Sequence, residues 1–257
     1  MKRNVVVTGG ASGMGNAVAR KFLECGDRVV LLDANAQRLE QITPELKKRY
    51  GDDVWIETLD ISSEEAIGQL ATRVVEKLGP CDVLVNCAGV FRGGLLHMAD
   101  TADYTIQFDV NVRGMFFMMR AFLPSMIEQG SGAIVNISSV SGIRGDYNAP
   151  LYCASKAAVI GLTQATALDY GEKGIRINCV SPSATETPMF LDGTSDAVMA
   201  AFLEALPDHR LGKPEQIADA VLFLASEGAK HINGHNIPVD GGLTAWNGQP
   251  KQNKEEE

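Results

Sequence analysis

Tyr152 and Lys156 lie four residues apart in a segment whose length and apolar content predict a helix. Residues four apart share one helix face, so the two side chains can interact. An ammonium beside a phenol favours the phenolate and lowers the pKa of the tyrosine from its usual value of about 10. The pair is therefore a candidate for general acid–base chemistry, although such a spacing is more often structural than catalytic.

Ser139 precedes this tyrosine and directly follows a short apolar run that predicts a strand over residues 133–138. Ligands of open parallel sheets bind at the carboxyl ends of the strands. We therefore expect the Ser139 hydroxyl to face the same crevice as the tyrosine. The alternative is that Ser138 and Ser139 form a simple turn.

A glycine-rich turn, with the spacing G-x-x-x-G-x-G from Gly9 to Gly15, links the first apolar run to an amphipathic segment. Glycines let backbone N–H groups approach a pyrophosphate at the start of a helix. Asp33 ends the second apolar run, where a carboxylate can accept hydrogen bonds from an adenosine ribose. The alternative is that Asp33 caps the helix that follows. Turn, strand and acid together predict a dinucleotide site, with Arg38 facing solvent.

Seven short apolar runs alternate with longer amphipathic segments, and this pattern is typical of parallel strands joined by crossover helices. The predicted strands are residues 5–8, 29–33, 54–59, 83–86, 133–138, 175–181 and 236–239. The predicted helices are residues 14–25, 36–50, 63–78, 101–129, 151–173 and 214–226. We predict a Rossmann-type α/β fold with a doubly wound parallel sheet, one domain over residues 1–246 and a polar tail over 247–257.

Glycines and a serine mark expected helix ends. Gly26, Gly51, Gly79 and Gly130 lie where four of the helices should stop. Ser62 and Glu65 have the spacing of a capping box that would open the third helix.

Composition narrows the classes of function. The 257 residues carry 23 Lys+Arg against 32 Asp+Glu, a net charge of −9 that disfavours a nucleic-acid surface. No apolar run approaches the roughly 20 residues of a membrane helix, and the amino end has no export signal. The five cysteines are scattered and His231 and His235 flank a turn, so we expect neither disulfides nor a metal site. A soluble, cytoplasmic protein is expected.

Taken together, these motifs resemble the short-chain dehydrogenase/reductases, specifically the single-domain members of about 250 residues, over essentially the whole chain. The matching positions are Thr8, Gly9, Gly13, Gly15, Asp60, Asn86, Ala88, Gly89, Asn111, Ser139, Tyr152, Lys156 and Pro182. Two positions depart from the family pattern. Cys87 replaces an asparagine, which we expect to be neutral, and Ser183 replaces a glycine, which could alter the nicotinamide pocket.

The resemblance implies four catalytic residues. Tyr152 exchanges a proton with the substrate oxygen, and Ser139 hydrogen-bonds that oxygen. Lys156 tunes the tyrosine and holds the nicotinamide ribose, and Asn111 anchors a water molecule. The implied cofactor-binding residues are Gly9, Ser12, Gly13, Met14, Gly15, Asp33, Asp60, Ile61, Asn86, Ala88, Gly89, Tyr152, Lys156, Pro182, Thr185 and Thr187.

The resulting interpretation is an NAD(H)-dependent oxidoreductase that interconverts a secondary alcohol and a ketone. Expected substrates are small hydroxy ketones, cyclic alcohols or diols, and hydroxysteroids. By resemblance, residues 188–211 form a lid, Phe91, Ser141, Ile143 and Asn148 add pocket walls, and the chain assembles as a homotetramer. A non-catalytic dinucleotide sensor and a sugar-nucleotide epimerase or dehydratase remain the alternatives.

Overall fold

The computed structural model describes residues 2–247 and residue 249. The seven strands are β1 Asn4–Thr8, β2 Arg28–Asp33, β3 Val54–Thr58, β4 Val83–Asn86, β5 Gly132–Ile137, β6 Ile175–Pro182 and β7 Asn236–Val239. They form one parallel sheet in the order β3-β2-β1-β4-β5-β6-β7. The predicted strands and the doubly wound fold are confirmed. Of the predicted polar tail, only Asn247 and Gln249 fall among the described residues.

Helices cover both faces of this sheet. They are α1 Gly13–Glu24, α2 Ala36–Tyr50, α3 Glu64–Leu78, α4 Thr101–Phe108, α5 Met115–Gln129, α6 Pro150–Tyr170, α7 Pro188–Leu191, α8 Asp196–Ala205 and α9 Pro214–Leu224. In the part of the chain that the structure describes, no helix is long and apolar enough to cross a membrane.

Two hydrophobic cores explain why the strands are apolar at every position. Successive strand residues point to opposite faces of a sheet. Val5 and Val7 pack into the core beneath α1, α2 and α9, whereas Val6 packs into the core beneath α3, α5 and α6. All three valines are fully buried, as both faces require.

The prediction of one continuous helix over residues 101–129 was wrong. A π-helical turn, Asp109–Gly114, separates α4 from α5. Two tertiary contacts accompany this turn. A Cβ on Gly114 would lie 2.8 Å from the side chain of Ile61, and the side chain of Asn111 bonds both backbone groups of Val90. Such widened turns occur often at functional sites.

Helix ends follow the sequence signals with one exception. Gly51, Gly79 and Gly130 each cap a helix with positive φ, as predicted. The predicted capping box at Ser62 was wrong by one residue, because the cap of α3 is Ser63, whose hydroxyl accepts a hydrogen bond from the backbone N–H of Ala66. Ser62 instead donates its backbone N–H to the Asp60 carboxylate.

Candidate active site

The glycine loop lies between the end of β1 and the start of α1, next to the loop that follows β4. The Thr8 hydroxyl accepts hydrogen bonds from the backbone N–H groups of Cys87 and Ala88, each at 3.1 Å. A Cβ on Gly9 would lie 2.9 Å from the backbone of Ala88, and the φ of Gly9 is +70°. Glycine is therefore required here both by space and by backbone conformation.

The start of α1 is open to a ligand. Within residues 2–247, the side chain of the N-cap Ser12 makes no capping bond, so the first-turn N–H groups remain directed into the loop. A Cβ on Gly13 would lie 3.1 Å from Thr187, which places the loop against the segment that follows β6. Met14 packs against the core beneath α1. A narrow cradle of N–H groups fits the pyrophosphate of a dinucleotide.

Asp33 at the end of β2 faces this cradle. One carboxylate oxygen accepts from Ala11 N at 3.0 Å, and the other accepts from Asn35 N at 2.8 Å. The cap of α2 is Asn35, so the alternative role of Asp33 as that cap is wrong. An ionised carboxylate offers about four acceptor positions, so Asp33 keeps acceptor capacity for ribose hydroxyls.

Arg38 is exposed on α2, as expected, and it also has one contact with the glycine loop. Its Nη1 lies 3.4 Å from the hydroxyl of Ser12, although the side chain is exposed. A long side chain on the first turn of α2 reaches back over the loop that precedes α1. The cradle therefore has a carboxylate and a guanidinium on the same side.

Tyr152 and Lys156 lie on α6, beside the end of β5. Lys156 is buried, its Nζ donates to the backbone oxygen of Ile137 at 2.9 Å, and it lies 5.7 Å from the centre of the Tyr152 ring. A Cβ on Gly89 would lie 3.4 Å from this Nζ, so the lysine reaches the loop after β4. The pair therefore joins α6 to the cradle.

The expected lowering of the tyrosine pKa is not found. Burial raises the pKa of Tyr152 to about 12, which outweighs the opposing hydrogen bond from Ser139. Burial also lowers the pKa of Lys156. Both shifts follow from the cost of placing a charge away from water. The phenol is therefore the form present at neutral pH.

Ser139 lies just beyond β5, where the sequence placed it, and it is buried. Its hydroxyl oxygen accepts the backbone N–H of Ser141 at 3.1 Å and lies 3.2 Å from the hydroxyl oxygen of that residue. Phe91 borders the site, with its ring edge-on to Tyr152 at 5.1 Å.

Asn111 in the π-helical turn is also buried. Its side chain bonds Val90 and donates to the Ser155 hydroxyl at 3.1 Å. Its carboxamide is thus occupied by structural bonds.

The remaining predicted cofactor residues lie near the carboxyl ends of the strands. The Asn86 side chain donates to Asn136 at 2.8 Å, and among the described residues its buried Oδ1 has no partner. Ile61 is buried in the core beneath α3, α5 and α6, and the Asp60 carboxylate accepts a hydrogen bond from the backbone N–H of Ser62. Pro182 ends β6, and Thr185 and Thr187 follow it, both buried. These residues fit a nicotinamide dinucleotide laid across the sheet edge.

The two departures from the family pattern have different surroundings. Burial raises the pKa of the Cys87 thiol to about 12, so it is an inert small side chain in the cleft. Ser183 lines a small cavity beside β7 with Val239 and Asp240. Among the described residues, only Asn148 and His209 combine a side chain with positive φ, so Ser183 adopts an ordinary backbone conformation.

Segment 188–211, expected as a lid, forms α7 and α8. The Phe190 and Phe202 rings join these helices in an edge-to-face contact at 5.0 Å. Sequence reasoning missed one polar group at the mouth of the site. The Asp146 carboxylate accepts a hydrogen bond from the Ser141 hydroxyl at 3.0 Å.

Comparison with known proteins agrees with this geometry. A family model described as enoyl-(acyl carrier protein) reductase matches residues 9–244. The chain is 42% identical to meso-2,3-butanediol dehydrogenase of Serratia marcescens over 96% of each chain. It superposes with a TM-score of 0.90 on ElxO with NADP bound, covering 96% of this chain and 100% of that one at 34% identity. It superposes equally well on levodione reductase, also at 34% identity, covering 95% and 98%.

Proposed function

This chain belongs to the short-chain dehydrogenase/reductase family, and we propose that it is an NAD(H)-dependent enzyme that interconverts a secondary alcohol and a ketone. At the level of the family it is an oxidoreductase of the alcohol dehydrogenase and ketoreductase kind. The observation that carries the finer proposal is the convergence of Ser139, Tyr152 and Lys156 beside the glycine loop.

Tyr152 is the proposed proton donor in reduction. A bound nicotinamide supplies the hydride. The raised pKa of Tyr152 keeps its phenol protonated at neutral pH, so a proton is available for the substrate oxygen. Ser139 donates a hydrogen bond to the same oxygen, which stabilises the negative charge that develops there.

Lys156 and Asn111 complete the proposed machinery. The Lys156 ammonium is held by Ile137 O on one side and faces Gly89 on the other, a position from which it can hold a ribose hydroxyl. Asn111 fixes the segment at Val90 and, through Ser155, the helix that carries Tyr152. Its backbone is the proposed anchor of a water molecule for proton relay.

The proposed preference for NAD rests on Asp33. Its carboxylate can accept hydrogen bonds from ribose hydroxyls and repels a 2′-phosphate. Arg38 opposes this preference, because a guanidinium close to Ser12 attracts a phosphate. The solved structure of ElxO has NADP bound, so the fold by itself does not imply NAD. We propose that the balance between the Asp33 and Arg38 charges decides whether this chain prefers NAD or NADP.

The test follows nicotinamide absorbance in both directions with NAD and NADP. Small diols, hydroxy ketones, cyclic alcohols, a hydroxysteroid and a sugar nucleotide serve as substrates. We expect turnover of an alcohol or ketone with NAD. Turnover of the sugar nucleotide alone, or cofactor binding without turnover of any substrate, would replace this proposal by one of the alternatives.

We also propose a homotetramer and a single domain over residues 1–246. The resemblance implies contacts through residues 101–129 and 151–173 and the C-terminal strand. Large apolar side chains are exposed on the helices of these segments: Tyr104 on α4, Phe116 on α5 and Leu168 on α6. All five cysteines are free, which supports the proposed cytoplasmic location. Sedimentation showing a monomer at micromolar concentration would refute the assembly.

A further inference from the structure

Three oxygen atoms form a row from the reacting centre to the mouth of the site. The Ser139 and Ser141 hydroxyl oxygens lie 3.2 Å apart, and Ser141 Oγ lies 3.0 Å from an Asp146 carboxylate oxygen. The two serines are buried and Asp146 is exposed. The row therefore runs from inside the pocket to solvent.

The ionised carboxylate fixes the direction of the hydrogen bonds in this row. A carboxylate can only accept hydrogen bonds, so the Ser141 hydroxyl donates its single hydrogen to Asp146. Toward every other group, Ser141 Oγ can then act only as an acceptor. Ser139 accepts from the Ser141 backbone N–H at 3.1 Å and donates its own hydrogen to Ser141 Oγ at 3.2 Å. A substrate oxygen that takes this hydrogen from Ser139 leaves Ser141 Oγ with a free acceptor position.

A backbone contact anchors the loop that carries Asp146. Asn148, two residues later, has a φ of 55° and accepts a hydrogen bond from Gly94 N at 2.6 Å through its backbone oxygen. Asparagine tolerates this left-handed conformation better than most residues. The bond ties the loop of Asp146 to the segment that presents Phe91 to Tyr152. The Asp146 charge also acts at the site, because it adds to burial in raising the pKa of Tyr152.

We propose that Ser141, oriented by Asp146, selects substrates with a hydroxyl on the carbon next to the reacting carbon, that is, α-hydroxy ketones and vicinal diols. The inference rests on the proposed function, in which Ser139 and Tyr152 bind the reacting oxygen. Neighbouring oxygens of a gauche diol are about 3 Å apart, similar to an ordinary hydrogen-bond separation. They match the 3.2 Å between the two serine oxygens, so each substrate oxygen can meet one serine.

Because Ser141 Oγ can only accept, it discriminates between substrates of similar shape that carry different groups next to the reacting carbon. A neighbouring hydroxyl can donate to Ser141 Oγ. A neighbouring ketone oxygen faces that acceptor with no hydrogen between them, and a methylene group leaves it unpaired. A neutral hydrogen bond changes an equilibrium by roughly 2- to 12-fold. A preference of about this size should therefore depend on Ser141.

The experiment measures kcat/KM for reduction of 3-hydroxybutan-2-one, butane-2,3-dione and butan-2-one by the full chain. The proteins are the unmutated enzyme, Ser141→Ala and Asp146→Asn. Glu76→Gln on α3 is the control, since it removes one exposed negative charge far from the site. Each variant's ratio between substrates is compared with the unmutated ratio, because intrinsic ketone reactivity then cancels.

Ser141→Ala should lower the preference for the hydroxy ketone over butan-2-one by roughly fivefold. The loss with butan-2-one, which has no neighbouring hydroxyl, should be smaller than the loss with the hydroxy ketone, because the backbone N–H of residue 141 still donates to Ser139. Asp146→Asn, which can donate to Ser141, should lower the ratio of hydroxy ketone to dione. Glu76→Gln should change neither ratio.

An equal loss with all three ketones in Ser141→Ala would mean a merely structural role and would overturn the proposal. An unchanged ratio of hydroxy ketone to dione in Asp146→Asn would remove Asp146 from it. If the unmutated enzyme reduces butan-2-one, but Ser141→Ala leaves the kcat/KM ratios between the substrates unchanged, the proposed selection of substrates is refuted and the proposed function stands. Absence of all reduction, with cofactor bound, would remove the proposed function itself.

Discussion

Replacing Asp33 by Asn and Arg38 by Gln should move cofactor preference in opposite directions. The two side chains border one cradle, where Asp33 bonds Ala11 N and Arg38 reaches Ser12. Asp33→Asn removes the negative charge but keeps a carbonyl oxygen for the loop. Arg38→Gln removes the positive charge from an exposed side chain. Each change isolates one charge with little change in shape.

The magnitudes differ because the two groups differ in exposure and bonding. A hydrogen bond to a charged acceptor contributes about 1.5–3 kcal/mol, which corresponds to about 10- to 150-fold in affinity. Asp33→Asn should therefore lower the ratio of kcat/KM for NAD to that for NADP by at least about tenfold. An exposed, solvent-screened cation contributes less than about fivefold. Arg38→Gln should raise the same ratio by less than about fivefold, through weaker use of NADP.

The assay measures kcat/KM for both cofactors in the single and double variants, with one alcohol at saturation. Lys48→Gln is the control for Arg38→Gln, because Lys48 is also exposed on α2, about 15 Å further along the helix at 1.5 Å per residue. Far-ultraviolet circular dichroism and thermal melting verify that each variant folds. A ratio that changes less than twofold in folded Asp33→Asn would refute the assignment of Asp33 to the ribose. An equal effect of Lys48→Gln would refute the local role of Arg38.

Three further changes test the site. Tyr152→Phe should lower turnover by at least about a hundredfold while cofactor titration stays normal, since only the proton donor is removed; near-normal turnover in a folded variant would exclude Tyr152 from the chemistry. The pKa of Tyr152 is raised to about 12, so the phenolate needed for alcohol oxidation should increase throughout the alkaline range, whereas the phenol needed for ketone reduction should already be present at neutral pH. Initial rates in both directions, with chemistry limiting, should therefore give different pH profiles, and superimposable profiles would contradict this. Gly15→Ala should abolish cofactor binding in calorimetry, because its Cβ would collide with the Gly9 carbonyl oxygen. Gly68→Ala on α3 is the control, because its added Cβ would meet nothing within 4 Å; it should bind the cofactor normally and be slightly more stable. Normal cofactor binding by Gly15→Ala would refute the proposal that the glycine loop holds the cofactor.

The sequence predicted the sheet well because both cores demand apolar residues at every strand position. The consecutive residues Val5, Val6 and Val7 are typical of a strand buried on both faces, and they pack alternately into the two cores. The glycine loop was predictable for a similar reason, since Gly9 needs both positive φ and the absence of a Cβ. Spacing alone made Tyr152 and Lys156 only a candidate pair, and the roles expected for them and for Ser139 came from the resemblance to the family.

Features that depend on tertiary contacts were not predictable from the pattern. The π-helical turn is accompanied by contacts of Gly114 with Ile61 and of Asn111 with Val90, which join segments distant in the chain. Asp146 lies in a loop that is tied to the distant Gly94 by the backbone of Asn148, which has a positive φ. The pKa of Tyr152 was predicted in the wrong direction, because spacing reveals a neighbouring charge but not the extent of burial.

The central position of β1 has a consequence for synthesis of the chain. β1 pairs with β2 on one side and with β4 on the other, yet β4 is translated long after β2. Until residues 83–86 emerge, the nascent sheet β3-β2-β1 has an apolar strand at its open edge, for several seconds at usual rates of translation. An unpaired, hydrophobic edge strand is a template for aggregation. The half-sheet that carries the glycine loop is therefore prone to aggregate while the chain is being made.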